Sequence, residues 1–376
     1  MSRRITVLSV VGTRPNIVKT APIVAALARD AERFEPVLVH TEQHYDATMS
    51  RLFLEQLGVP SPTYVLGAGS GSHAQQTARI MERLEPIVLD VAPDVVVVPG
   101  DVNSTLAAAL VAAKAQVPLA HIESGLRSFD RSMPEEVNRV VCDALADLLF
   151  IHSPEAKDNL LAEGRDPASI LDAGNTMIDS LVAMRPFVAA VDAPARLGLR
   201  RGGYLLVTLH RPALVDGQLL DEAVAALRSV SRTLPVVFPV HPRTRRALDA
   251  AGGDGTHAAL RLLEPLGYIE FIGLLEGAAA VLTDSGGVQE EAAFLGIPCL
   301  TLRENTERPV TVRAGANRLL GLVPARINEI PDLLAAWPPA RDTLPAGWDG
   351  HAAERIVEAL AARYATADRR PAPSRT

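Results

Sequence analysis

Between Val281 and Gly321, the run VLTDSGGVQEEAAFLGIPCLTLRENTERPVTVRAGANRLLG places a glycine break, the carboxylate pair Glu290-Glu291 and the arginines of RENTERP in one strand-to-helix unit. VLTD reads as the end of an apolar strand. Ser285, Gly286 and Gly287 then let the backbone turn into a helix, whose first N–H groups and positive dipole end attract phosphate. Gln289, Glu290 and Glu291 fall in the first turns of that helix, where a carboxylate can accept hydrogen bonds from a ribose diol. PCLTL is the next short strand, and RENTERP follows as a loop too charged for a core. Its Arg303 and Arg308 suit a bidentate clamp on a diphosphate. Taken alone, Ser-Gly-Gly is more often a plain helix cap. The whole run is expected to cradle a nucleoside diphosphate.

Other segments bring charge to strand ends. Gly12 to Lys19, GTRPNIVK, follows the first strand and opens the first helix, with Gly12 for the sharp turn, Pro15 at the helix start, and Arg14 and Lys19 as cations. It is neither a GxGxxG fingerprint nor a P-loop, and reads as an anion-binding loop or a solvated turn. GAGSGS at Gly67 to Ser72 reads as a flexible loop rather than a dinucleotide turn. PGDVNST places Asp101 at a strand end, as a helix cap or a site carboxylate. In HIESGLRSFDRSMPEEVNR, Glu123 comes directly off an apolar strand before Gly125, so partial burial and a raised pKa are expected of it. Glu135 and Glu136 follow Pro134 in the first turn of a helix. Two strand ends further on, His210-Arg211 and His241-Pro242-Arg243 each offer a histidine and an arginine, a pattern that fits a diphosphate. A zinc site from His121, His210 and His241 is disfavoured, because the spacing follows no ligand pattern and arginines crowd each candidate. No metal is expected.

These residues need a scaffold that exposes strand ends. Short apolar strands alternate with helices from Arg4 to about Asn175: ITVLSVVG, a helix over Ile17 to Leu27, EPVLVHT, DVVVVP at Asp94 to Pro99, a helix through Leu106 to Lys114, PLAHIE and DLLFIHS. After a linker near Gly174 to Gly203, a second series offers YLLVTLH, PVVFPVH, YIEFIG, VLTD and PCLTL as strands, with a helix over Gln218 to Thr233. Such alternation implies α/β domains with parallel sheets and right-handed crossovers. We expect two Rossmann-like domains facing across a cleft: 1–175, then 176–350, with a last helix at about 351–366 packing back on the first domain and a disordered tail at 367–376.

Composition sets outer bounds. A chain of 376 residues suits two domains, and 48% apolar with 22% charged residues is a globular balance. Aromatics are 4%, while Ala, Leu and Val dominate, as in sheets sandwiched by helices. The net charge of −7 argues against nucleic acid as the main partner. Cys142 and Cys299 are the sole cysteines, each in an apolar setting, which points to reduced thiols in a cytoplasmic protein. MSRRITVLSVVG superficially resembles a signal sequence but reads better as a first strand, and no stretch approaches a membrane span.

Taken in order, GTRPNIVK, QHYD at Gln43 to Asp46, GDVNST, HIESGLRS, MPEEVNR, LHRP, HPRT, TDSGG and RENTERP resemble the signature of the non-hydrolysing UDP-N-acetylglucosamine 2-epimerases, from GTRPNIVK to at least Gly321. The resemblance implies a GT-B architecture, a UDP-sugar partner, no cofactor and a homodimer. On matching positions it implies that Arg14, Lys19, His210, Ser285, Gly286, Gly287, Glu291 and Arg308 hold UDP, with Phe271 near the uracil. It implies that Asp101, Glu123 and Glu135 are catalytic carboxylates, with His210 also in the reacting site. Gln43, Glu136, Arg211 and His241 would border an effector site for a second UDP-sugar. Departures from the family pattern are Asn16, Glu42, Asp46, Ala213-Leu214 after the His-Arg pair, and Ala316. The implied chemistry is loss of UDP from C1 with removal of the C2 proton, then re-addition after protonation on the opposite face. Other readings are an epimerase of another UDP-2-acetamido sugar, such as a diacetamido uronic acid, a GT-B glycosyltransferase, a hydrolysing epimerase, and a non-catalytic sugar-nucleotide sensor.

Overall fold

The computed structural model describes residues 3–42, 59–250, 259–338 and 344–365. The chain divides into two compact units, Met1–Ala183 with Pro345–Thr376, and Met184–Leu344.

The N-terminal unit is built on β1 (Ile5–Val11), β2 (Phe34–His40), β3 (Tyr64–Val65), β4 (Val95–Pro99), β5 (Leu119–Ile122), β6 (Leu148–Ile151) and β7 (Ile170–Asp172). They lie in the order β3-β2-β1-β4-β5-β6-β7, every neighbour pair parallel. The central strands are buried on both faces, which is why they read as unbroken apolar runs rather than alternating ones. Val96 and Val98 of β4 enter one core with Leu8, Ile80 and Leu84, while Val95 and Val97 enter the opposite core with Ile23, Leu27 and Phe150. The helix Ala352–Tyr364 closes that second core with Ile356, Val357 and Leu360. Its first N–H groups are received by the carboxylate of Asp179. All seven residues of β1 are buried, so the apolar N-terminal run is a core strand.

The C-terminal unit repeats the plan with β8 (Leu205–Thr208), β9 (Val236–Pro239), β10 (Leu260–Leu263), β11 (Ala280–Thr283), β12 (Cys299–Thr301) and β13 (Asn317–Leu319) in the order β10-β9-β8-β11-β12-β13, again all parallel. In each unit the strand order reverses once, between β1 and β4 and between β8 and β11. Doubly wound sheets bind ligands outside the carboxyl ends of the strands at that reversal.

Several expectations change. YIEFIG, expected as a strand, begins the helix Tyr268–Gly277, in which Ile269, Ile272 and Leu275 are buried. A short apolar run carries no decisive period, and here the three-residue spacing of those side chains is helical. The expected linker is helical over Thr176–Val191 and Ala193–Arg196. The GAGSGS segment is laced down rather than loose. Arg83 donates to the carbonyls of Leu66 and Gly67 at 2.7 and 2.6 Å, and Arg79 to those of Ala68 and Ser70 at 2.9 and 2.7 Å. Ser72 and Gln75 then form a reciprocal cap on the helix His73–Val91. Among the described residues no helix is long and apolar enough to cross a membrane.

Candidate active site

In the N-terminal unit, the loop after β1 is tied to the end of β4. The Thr13 hydroxyl donates to Asn16 Oδ1 at 2.9 Å, and Asn16 Nδ2 donates to the Pro99 carbonyl at 3.1 Å. Gly12 is a matter of space and not of turn geometry, since a Cβ there would stand 2.0 Å from Ser104 Oγ. Arg14, the first residue of the helix Arg14–Arg29, is exposed, whereas Lys19 is buried and ion-paired with Glu123. Glu123 is 8% exposed and sits at φ +68°, a left-handed conformation that costs a non-glycine residue on the order of 1 kcal/mol. Its second oxygen, Oε1, is 3.9 Å from His152 Nε2.

Asp101 does not cap the helix Asn103–Lys114. The N-cap is Val102, and the Asp101 carboxylate instead pairs with Arg139. Glu135 and Glu136 open the helix Pro134–Leu145 in its first turn. Glu135 is half-buried. Glu136 is buried and accepts from the N–H and hydroxyl of Ser128 and the N–H of Phe129, each at 2.9 Å, and from Arg139 at 2.8 Å. It therefore pins its own loop. His121 has both ring nitrogens engaged inside this unit, by Asp143 and by the Gly100 carbonyl.

The C-terminal unit gathers cations at its strand ends. His210 follows β8, its Nδ1 2.9 Å from Oδ1 of Asp284, the residue after β11. The other Asp284 oxygen accepts the N–H groups of His210 and Arg211, both at 2.7 Å. Burial alone would raise the Asp284 carboxyl, but His210 and those two N–H groups outweigh it and hold it below the usual carboxylate value. The ring of His241, at the end of β9, has its centroid 5.6 Å from that of His210. Glu307 is shared by three guanidiniums, Arg303 at 2.8 Å and Arg211 and Arg308 at 3.3 Å, while Arg308 also approaches Glu290 at 3.4 Å. Burial lowers the Arg303 pKa, helped by the neighbouring Arg211 and Arg308 and opposed by Glu307.

That cluster lies against the helix Gly286–Leu295. A Cβ on Gly286 would be 2.9 Å from Arg308 Cζ, so the glycine admits the guanidinium to the first turn. Ser285 occupies the N-cap position without a side-chain capping bond, and Ser285 and Gly287 are both partly exposed. Glu291 is buried and accepts from the Tyr268 hydroxyl at 2.9 Å; burial and this carboxylate push the phenol well above its usual range. Phe271 lies one turn along the same helix, half-buried.

RENTERP, expected to be too charged for a core, nevertheless buries three of its charged residues: Arg303, Glu307 and Arg308 are each under 7% exposed. The charges compensate one another, and a polar network holds the loop. Gln289 Oε1 accepts from Thr306 at 2.6 Å and from Asn317 at 3.0 Å, and Asn317 Oδ1 accepts from Thr301 at 2.8 Å. Gln289 is thus spent on the loop. Gln43, with the QHYD run, lies outside the described residues.

A sequence profile described as UDP-N-acetylglucosamine 2-epimerase matches residues 26–361. The chain belongs to the UDP-N-acetylglucosamine 2-epimerase family. A UDP-N-acetylglucosamine 2-epimerase of Methanocaldococcus jannaschii is 42% identical over 322 residues, 83% of this chain and 87% of that one. A UDP-2,3-diacetamido-2,3-dideoxy-D-glucuronate 2-epimerase of Pseudomonas aeruginosa is 43% identical over 320 residues, 84% of this chain and 88% of that one. The crystal structure of the Methanocaldococcus jannaschii UDP-GlcNAc 2-epimerase in complex with UDP-GlcNAc and UDP matches with a TM-score of 0.89 at 38% identity, covering 95% of this chain and 100% of that one. A lipopolysaccharide outer core galactosyltransferase, at 13% identity and a TM-score of 0.52, shares the GT-B fold alone.

Within this epimerase-family chain, some residues of the strand-end clusters are not singled out by the sequence, among them Arg139, Asp284 and Glu307. Asp284, which orients His210, had one signal: an acidic residue ending an apolar strand just before the glycine turn. Glu307, the hub of three arginines, had none beyond its place in RENTERP, because shared partners of one carboxylate are visible only in space.

Proposed function

We propose that this family member interconverts UDP-N-acetylglucosamine and UDP-N-acetylmannosamine by elimination and re-addition of UDP. The observation that carries the reading is the division of roles within one chain: the carboxylates Glu123 and Asp101 at the strand ends of the N-terminal unit, and three arginines gathered with His210 at those of the C-terminal unit.

The C2 hydrogen of a 2-acetamido sugar has no adjacent carbonyl to acidify it. Cleavage of the C1–O bond, with its electron pair leaving on UDP, develops positive charge at C1 and makes that hydrogen acidic. One of Asp101, Glu123 and Glu135 takes the proton as the C1–C2 double bond of a 2-acetamidoglucal forms, a second returns a proton to the opposite face, and a third supports charge at C1. UDP then adds back to C1. Arg14, Lys19, His210, Ser285, Gly286, Gly287, Glu291 and Arg308 hold the nucleotide, with Phe271 beside the uracil, and His210 and the arginines stabilise the departing diphosphate. Asp284 keeps the His210 ring oriented for that task. No cofactor enters this scheme. Gln43, Glu136, Arg211 and His241 would border a separate effector site for a second UDP-sugar, outside this scheme. We place the protein in the cytoplasm as a homodimer, a reading supported by the family resemblance and by two buried free thiols.

A second reading, epimerisation of a UDP-diacetamido uronic acid, is favoured by the similarity to the Pseudomonas aeruginosa enzyme. Product analysis separates them. The protein is incubated with each UDP-sugar, without acceptor or cofactor, and the nucleotide sugars are resolved by chromatography and NMR. UDP-N-acetylmannosamine formed from UDP-N-acetylglucosamine supports the first reading. Turnover of the uronic acid alone supports the second, and net release of free UDP would overturn both.

A further inference from the structure

The helix Pro134–Leu145 carries a carboxylate that the scheme above does not use. Asp143 is 0% exposed. Its Oδ1 is 2.7 Å from His121 Nδ1, and its Oδ2 accepts the Gly125 N–H at 3.0 Å and the Arg127 guanidinium at 2.7 Å. His121 Nε2 in turn is 2.7 Å from the Gly100 carbonyl oxygen. His121 thus links the helix carboxylate to the Gly100 carbonyl. Burial alone would raise the Asp143 carboxyl, yet His121 and Arg127 outweigh it and hold it below its usual value.

The arrangement has a positional consequence. His121 and Gly125 stand two residues before and two residues after Glu123, so one carboxylate grips the chain on both sides of a residue held at φ +68°. Gly100 immediately precedes Asp101, and its N–H is received by the carbonyl of Ile122 at 3.0 Å. Through His121 the same carboxylate fixes the turn that presents Asp101, whose own carboxylate is paired with Arg139 from the same helix. Buried charges are a poor way to join a strand to a helix, because apolar side chains of similar volume do so without the desolvation cost. Fixing two turns at a set spacing is something apolar packing does less well.

We infer that Asp143, acting through His121 and the Gly125 N–H, is a positioning residue that sets Glu123 and Asp101 for proton transfer at the sugar. This rests on the epimerase reading. Misplacement of a reacting group by about 1 Å costs about 100-fold in rate, so Asp143→Asn in the full chain is expected to lower kcat for C2 exchange by about 100-fold with KM and UDP affinity little changed. His121→Asn, which spares Asp143 but loses the link to Gly100, is expected to shift kcat in the same direction and carries the test if Asp143→Asn does not fold. Undiminished kcat in a folded variant, or a fall in UDP affinity that matches the fall in kcat, would overturn the inference. A wild type that turns over no UDP-sugar would instead remove the epimerase reading, and this inference with it.

Discussion

The carboxyl ends of the two sheets share a topology and assemble different charged clusters. At the ends of β1, β4 and β5, three carboxylates, Glu123, Asp101 and Glu136, share two cations, Lys19 and Arg139. At the ends of β8, β11 and β12, three arginines share two carboxylates, Glu307 and Glu290. A doubly wound sheet delivers side chains to the strand ends whatever they are, so the fold supplies a place and the residues supply the chemistry. One end is suited to moving protons, the other to receiving a diphosphate. Even the glycines differ in what they serve: Gly12 admits a neighbouring serine, whereas Gly286 admits a guanidinium.

If the contrast is functional, each end fails in its own way when altered. Glu123→Gln removes a proton acceptor but keeps the shape, and is expected to lower C2 exchange by about 1000-fold with UDP affinity nearly intact. Isothermal titration with UDP and exchange kinetics on the same variant check this. Glu307→Gln leaves three arginines without their shared counter-ion and is expected to destabilise the free protein by about 3 kcal/mol. Because UDP then supplies the missing charge, the thermal shift on adding UDP is expected to be larger than in wild type, and an equal shift would argue against a diphosphate at this cluster. Arg308→Ala is expected to weaken UDP binding by about 2 kcal/mol, roughly 30-fold, while exchange at saturating substrate falls less.

A smaller effect is shared by both ends. Asp143 and Asp284 are each held below the ordinary carboxyl value of 3.8. With a depressed folded-state pKa, the unfolded chain binds more protons as the solution is acidified. The stability these groups contribute is therefore complete above the unfolded value and is lost as pH falls through the folded one. Thermal unfolding at about pH 6 and about pH 3 is expected to show a smaller acid loss in Asp284→Asn than in wild type.

Much of this was legible in the sequence, for reasons that differ by residue. The valine run of β4 and the apolar run of β1 announce two-sided burial, and the Pro134-Glu135-Glu136 start of a helix is plain from local rules. The helix His73–Val91 was there to be read from Ile80, Leu84 and Val88 at four-residue spacing, but the charged residues between them and Pro86 inside it mask the stripe. Tyr268–Gly277 deceived because a short apolar run fits a strand or a helix equally well. The burial of Arg303, Glu307 and Arg308 and the grip of Asp143 on both sides of Glu123 could not be read at all. Both depend on charge partners brought together by crossovers, and sequence spacing carries no record of them.

The most direct test of the division of roles is proton NMR of UDP-N-acetylglucosamine incubated with the protein in D2O. The account predicts deuterium at C2 of both the substrate and newly formed UDP-N-acetylmannosamine, with no cofactor added. UDP-sugar bound at the arginine cluster with no deuterium entering C2 would contradict it.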